Sequence, residues 1–211
     1  MNPAEPLARP APALQALLAR RSVSPKRLGA PGPTSAQLGE IVRAGLRAPD
    51  HGGLVPWRVI EFAAGDRTAL ADLFAQEKLR RDPLASADDV ERARAHATRA
   101  PALLAFVVSI RAGVTVPVHE QWLAAGAALG NMLDAVHALG FGGIVLSGDR
   151  CSDPVLTREL GLRETAEQLA GFISVGSIVK LPPAAPHKEL ATVWSRWPGA
   201  LARQRAADPS S

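Results

Sequence analysis

Residues 122–147 read WLAAGAALGNMLDAVHALGFGGIVLS. Apolar or small residues fall at 122, 126, 129, 133 and 136, the spacing of one helical face. The rest of this surface is small as well, with Ala124, Ala125, Ala127, Ala128 and Gly130. Only Asn131, Asp134 and His137 are strongly polar, and they stand three residues apart. A helix that is apolar all round is a buried one. Trp122 to Leu139 is therefore expected to be a central post whose small residues let other backbones come close. Gly140-Phe141-Gly142-Gly143 then stops the helix, and Ile144-Val145-Leu146 reads as a short strand. The turn and strand are expected to form a ligand wall.

Working outward, Ala102 to Ile110 is a continuous apolar run, expected as a buried central strand. Trp57, Val59, Ile60 and Phe62 predict another strand, and Gly171 to Ile178 a fourth. Between them lie helices. One starts near Leu14 and ends at Arg20-Arg21-Ser22. A second is capped by Thr34 or Ser35, with Gln37 at capping-box distance from Thr34, and stops at Ala48-Pro49. Asp66 is expected to cap a third, Ser86 a charged fourth, and Ser152 or Asp153 a last one with Pro154 in its first turn. Residues 77–98 form the least hydrophobic stretch and are expected as an exposed helical excursion or lid. This order predicts an α+β fold, a mixed sheet covered by helices on both faces. A Pro/Ala arm is expected over residues 1–12, one domain over 13–198, and a disordered tail over 199–211.

The bulk numbers suit that picture. The 211 residues are 47% hydrophobic and 21% charged, enough for one domain with a full core. The net charge is +4 and no dense Lys/Arg block occurs, which argues against nucleic-acid binding. Cys151 is the single cysteine, so no internal disulfide forms. No secretory leader and no membrane-length apolar run is apparent, and a soluble cytoplasmic protein is expected.

Several motifs fail on context. Gly140-x-Gly142-Gly143 follows a helix and opens a strand, the reverse of a dinucleotide fingerprint. Gly171 to Gly176 is not a nucleophile elbow, because Phe172 stands where that motif needs glycine. The histidines show no metal-binding spacing. Cys151 precedes a helix start, which lowers a thiol pKa, but no base is paired with it in sequence. Arg20-Arg21-Ser22 offers two guanidiniums and a hydroxyl, which suit phosphate oxygens or equally a helix C-terminal dipole. Arg47 and His51 flank Ala48-Pro49-Asp50, either gripping a ligand from a Gly-bearing loop or merely ending a helix.

Taken together, these segments resemble the FMN-dependent nitroreductases. The resemblance rests on Arg20-Arg21-Ser22, on Ala48-Pro49-Asp50 followed by Pro56-Trp57, on Gly126, Asn131, Ala135 and Gly140-Phe141-Gly142, and on Gly171 to Gly176. It spans roughly Leu14 to Ile178 and is nearest to a compact branch of the family. It implies a three-layer sandwich, an intertwined homodimer with FMN at the interface, and NAD(P)H as co-substrate. The reaction implied is hydride transfer through the flavin to a small electron-poor acceptor such as a nitroaromatic or quinone, with ping-pong kinetics and no protein acid or base. Arg20, Arg21, Ser22, Arg47, His51, Val145, Leu146 and Ser147 would then hold FMN. Ala135, Val136, His137, Ala138, Leu139 and Gly140 would form the nicotinamide side. The alternative is a dimer of the same fold that binds flavin or another flat ligand without turnover. The chain departs from the compact branch at Val145-Leu146-Ser147-Gly148, where that branch often has W-R-S-G. Arg150 or Lys180 are the residues that could replace the lost arginine, and Lys26 and Arg27 the cations expected soon after Ser22.

Overall fold

Strand β3 (Ala102–Ser109) carries ALLAFVVS, and every residue but the last is buried. The computed structural model describes residues 11–184 and 189–197. The expected arm, apart from Ala11 and Pro12, and the expected tail lie outside these residues. On one edge of β3 runs β2 (Trp57–Glu61), antiparallel, with Trp57 opposite Val108. On the other runs β5 (Glu167–Ile178), also antiparallel, with Ala102 opposite Val175. Strand β4 (Gly142–Leu146) pairs antiparallel with residues 172–176 of β5. Those residues already face β3, so β4 lies on the opposite edge of β5. A two-residue β1 (Leu28–Gly29) pairs with Ser177 and Ile178 at the end of β5.

Every pairing among the described residues is antiparallel, which corrects the expected mixed sheet. The helices α3 (Arg67–Arg81) and α4 (Ala87–Thr98) form a hairpin that returns the chain to the end it left, so β3 runs opposite to β2. Helix α5 (Val118–Ala138) does carry β3 to a strand of the same sense, β4. The two are not neighbours, because β5 is inserted between them.

Helices cover both faces. On one, α2 (Ser35–Gly45) and α5 pack Leu38, Ile41, Ala128, Met132 and Val136 against Trp57, Phe106, Ile173 and Val175. Trp57 stacks on Phe106 with ring centres 5.6 Å apart. On the other, Leu70, Phe74 and Ala97 meet Leu103, Val107 and Phe172, with Leu156 of α6 (Pro154–Glu159). The caps at Thr34, Ser86 and Asp153 form as expected, the first two as full capping boxes. Asp66 precedes α3 but its side chain caps nothing. Residues 77–98 are packed on the sheet rather than set apart from it. Their outer surface is polar, but Ala93 and Ala97 are buried, and the α3–α4 hairpin encloses the second core.

Helix α5 is buried on one side and open on the other. Ala124, Ala125, Ala128, Met132 and Val136 are buried, as expected of a post. The opposite face is open, with Leu123 69% and Val118 55% exposed, and a Cβ added to Gly126 or Gly130 would meet nothing. The helix thus has an apolar face that its own chain does not cover. At its end, Gly140 adopts φ 83°, the left-handed stop. Gly142 is tightly packed, since a Cβ there would lie 2.8 Å from Leu28 and from Ile178.

One buried charge anchors the far end of β5. Glu167 accepts hydrogen bonds from Arg58 Nε at 2.8 Å and from the Arg163 backbone and guanidinium at 3.0 Å. The Arg58 hydrogen bond, reinforced by Arg163, holds its carboxyl at about 2 against burial, which acts upward. A depressed carboxyl stabilises the fold above its unfolded value, and that contribution is lost as pH falls towards 2. Thermal midpoints of wild type and Glu167→Gln at pH 7 and pH 3 are therefore expected to converge on acidification. A gap that stays constant would exclude this linkage.

Candidate functional site

The first turn of chain beyond α1 (Pro12–Ala19) is tied to β4. The Val23 N–H donates to the Gly143 carbonyl at 3.0 Å, which places Arg20, Arg21 and Ser22 beside the start of that strand. Leu146 lies three residues further along, about 10 Å at the strand rise. The segment after β5 crosses the same loop, with Arg21 donating to the Pro183 carbonyl at 3.2 Å and Arg27 to that of Leu181 at 2.6 Å. Arg20 Nε forms an ion pair with Asp134 of α5 at 3.2 Å, both side chains being about one-third exposed. A phosphate arriving here would meet two guanidiniums held by weak, half-exposed contacts, which it can displace.

Two concavities lie near these segments. An open, mostly apolar groove of about 370 Å³ runs between α1, the end of α2 and α5, past Leu17, Arg47, Asn131, Asp134, Ala135 and Ala138. The Asn131 amide spans α5 and α2 by donating to the Ala44 carbonyl at 3.3 Å. On the other face of the sheet, a cavity of about 220 Å³ lies behind Leu146 and Ser147. Side chains opposite one another across an antiparallel pair share a face. Leu146 opposite Phe172 and Ile144 opposite Ser174 therefore point towards α3 and α4. Phe74 and Leu103 complete apolar walls, and His96, Ser174 and Arg150 add polar groups.

The electrostatics of the second cavity are set by burial. The Arg150 guanidinium lies 4.3 Å over the Phe74 ring. Burial pulls its pKa below the ordinary arginine value, with Glu77 acting in the opposite direction. Burial, then Arg150, Arg99 and Lys26, push the His96 pKa down, so its ring is neutral near pH 7. Burial raises the Cys151 thiol. This reverses the effect expected from its place before α6.

The anticipated site residues divide. Arg20, Arg21, Ser22, Val145, Leu146 and Ser147 come together along β4, and Arg47, Ala135 and Ala138 line the neighbouring groove. His51 does not join them. Its Nδ1 lies 2.6 Å from Glu120 Oε2, fourteen residues along α5 from Asp134, a span of about 21 Å. Val136 is also misplaced as a ligand contact, because its side chain is buried in the core against Gly143. His137 is half-buried, and Leu139 and Gly140 are exposed, at the helix end. Missing from the expected set are His96, Phe74 and Ser174. Ser174 left a trace in sequence, as a lone hydroxyl at an inward position of an apolar strand.

The nitroreductase family model matches residues 17–177. This chain belongs to the nitroreductase family. Its relatives include YdjA of Escherichia coli K12, named provisionally as an NAD(P)H nitroreductase. The two are 36% identical over 167 residues, 78% of this chain and 87% of YdjA. A nitroreductase-like protein of Bacillus cereus has the same fold, with a TM-score of 0.74, 18% identity, and coverage of 92% of this chain and 100% of that one. So does a protein of Desulfovibrio desulfuricans crystallised with FMN, also provisionally called a nitroreductase. Its TM-score is 0.69 at 23% identity, over 90% of this chain and 99% of that one. Among the described residues no cluster of His, Cys, Asp and Glu could hold a metal, and no helix is long and apolar enough to cross a membrane.

Proposed function

We propose that this nitroreductase is an FMN-dependent oxidoreductase. It takes hydride from NAD(P)H and delivers electrons to a small electron-poor acceptor, such as a nitroaromatic or a quinone, by ping-pong turnover. The observation that carries the reading is the junction at β4. An arginine-rich loop meets one end of the strand, and a polar-lined cavity lies behind the other. The residues fit FMN. Arg20, Arg21 and Ser22 present a phosphate-binding set, and Leu146 and Ser147 offer a wall to the cavity. Ser174 Oγ, fully buried without a hydrogen-bond partner, leaves a donor for a ligand in the cavity. The relative named for NAD(P)H and the FMN-bound structure of the same fold agree with this. Bound FMN supplies hydride acceptance and electron release. The protein binds and orients, and no side chain is required to move a proton.

The reading includes a homodimer. The uncovered apolar face of α5 needs a cover, and Gly126 and Gly130 allow a second backbone to come close.

A second reading is a flavin-binding dimer without turnover. Leu146, apolar where the compact branch has arginine, is the observation in its favour. The purified protein, reconstituted with FMN, is expected to be yellow and to bleach on anaerobic NADPH or NADH. Yellow protein that neither bleaches would leave the second reading standing. Protein that retains no flavin would end both.

A further inference from the structure

Among the described residues, two buried side-chain atoms lack a hydrogen-bond partner: Ser174 Oγ and Glu77 Oε2. Both are tied to the lining of the cavity behind β4. Ser174 lines it, and Glu77 holds two arginines that do. Burying a polar group without a partner is costly. An orphaned hydroxyl in a cavity lining, with a second orphaned atom behind the arginines of that lining, marks a place where a ligand completes the structure.

Arg150 is the third unusual group here. Its side chain is 15% exposed and its Nε lies 4.0 Å from Glu77 Oε2. Arg81 takes the other oxygen of Glu77, donating from Nε at 2.6 Å. Among the described residues the Arg150 guanidinium donates no hydrogen bond. Its position is fixed by the Phe74 face and a distant carboxylate, and its planar fork of donors remains free. A side chain that is nearly buried, held in place and still unbonded is arranged to meet something else.

The surroundings say what kind of group that is. Phe74, Leu103, Leu146 and Phe172 give apolar walls, while Arg150, Ser174 and neutral His96 offer hydrogen bonds. This suits a flat heteroaromatic ring with one polar edge. A phosphate would prefer the exposed arginines at the Gly143 end of the strand.

We propose that Arg150, positioned by Phe74 and Glu77, contacts the polar edge of the flavin ring together with Ser174, supplying the cation that Leu146 cannot. The assignment rests on the cofactor reading above and adds a residue outside β4. It separates two ends of one ligand, so the two ends can be tested apart.

The test compares FMN with riboflavin, which has the same ring but no phosphate. Dissociation constants are read from quenching of ring fluorescence. Arg150→Ala is expected to weaken both ligands by a similar factor, about tenfold or more, the scale of a lost hydrogen bond to a charged group. Arg150→Lys keeps the charge but not the fork and is expected to recover part of the loss. Because Arg150→Ala leaves Glu77 short of a partner, the pair Glu77→Gln/Arg150→Gln removes both charges together. It is expected to fold and to show the same loss for both ligands. Wild-type affinity in Arg150→Ala and in the neutral pair would overturn the assignment. So would weakening of FMN with riboflavin unchanged, which would move Arg150 to the phosphate. If the wild-type protein binds neither ligand, the cofactor reading itself falls and takes this assignment with it.

Discussion

Arg67→Ala is expected to lower the thermal midpoint by roughly 6–12 °C, corresponding to about 3 kcal/mol in a chain of this size. Arg67 is 8% exposed. Its guanidinium serves four backbone carbonyls. Nη1 donates to Ala97 at 3.1 Å and Ala100 at 2.8 Å, Nη2 to Pro101 at 3.2 Å, and Nε to Phe62 at 3.3 Å. Ala97 and Ala100 bracket the end of α4, where helix carbonyls lack intrahelical donors and a cation is favoured. Pro101 leads directly into β3 and Phe62 follows β2, so one side chain closes the second core at the α4–β3 corner. Burial pulls its pKa below the ordinary value, yet arginine stays charged, so the cost of burial is offset by the four acceptors rather than by a lost proton. Alanine would strand those carbonyls. Arg43→Ala is the control, since among the described residues Arg43 pairs only with Glu40 on an exposed helix surface, a contact worth well under about 1 kcal/mol. If the two variants melt together, Arg67 does not hold this corner. Arg67→Lys is expected to fall between them, because an ammonium cannot span the same fork of acceptors.

Nothing in the sequence singled out Arg67, and the reason is general to what the sequence did and did not reveal. Local signals were readable. The apolar run of β3, the boxes at Thr34 and Ser86, and the stop at Gly140 each depend on residues a few positions apart, and each formed where expected. Three of the Arg67 acceptors lie thirty or more residues away. The same distance problem hid strand order. Four strands could be read, but that β5 lies between β3 and β4 depends on the packing of helices on the sheet. Residues 77–98 did not read as cover for the sheet, for a related reason. Within this stretch only Glu77, Ala93 and Ala97 are buried, too little apolar content to register as core cover, while the large buried side chains of the layer, Leu70 and Phe74, come earlier on α3. His96 went unseen with it. The opposite case is α5, where an all-apolar surface predicted burial on every side. Val118, Trp122 and Leu123 are exposed on that surface in the single chain. The amphipathic rule reports that a face must be buried, and it does not say by which chain.

Arg20→Ala/Arg21→Ala is expected to raise the FMN dissociation constant by about a hundredfold, two charge-assisted hydrogen bonds at about 1.5 kcal/mol each. Riboflavin binding should be unchanged, because the ring end of the site lies further along β4. The existing partners of these arginines do not weaken the expectation. Arg20 is shared with Asp134 at 3.2 Å, and Arg21 with a carbonyl at 3.2 Å. Contacts of this kind, half in water, contribute at most about 1 kcal/mol and give way to a doubly charged group. Asp134→Asn sharpens the point. It frees Arg20 from a competing carboxylate and removes a negative charge from the approach to the phosphate, so FMN is expected to bind more tightly and riboflavin equally well. Arg43→Ala, in the last turn of α2 and already paired with Glu40, should leave both ligands alone. Unchanged FMN affinity in the double variant would place the phosphate elsewhere, with Lys26 and Lys180 as the next cations to replace. Equal loss of FMN and riboflavin would mean that the loop supports the fold of β4 through the Val23–Gly143 hydrogen bond rather than the ligand.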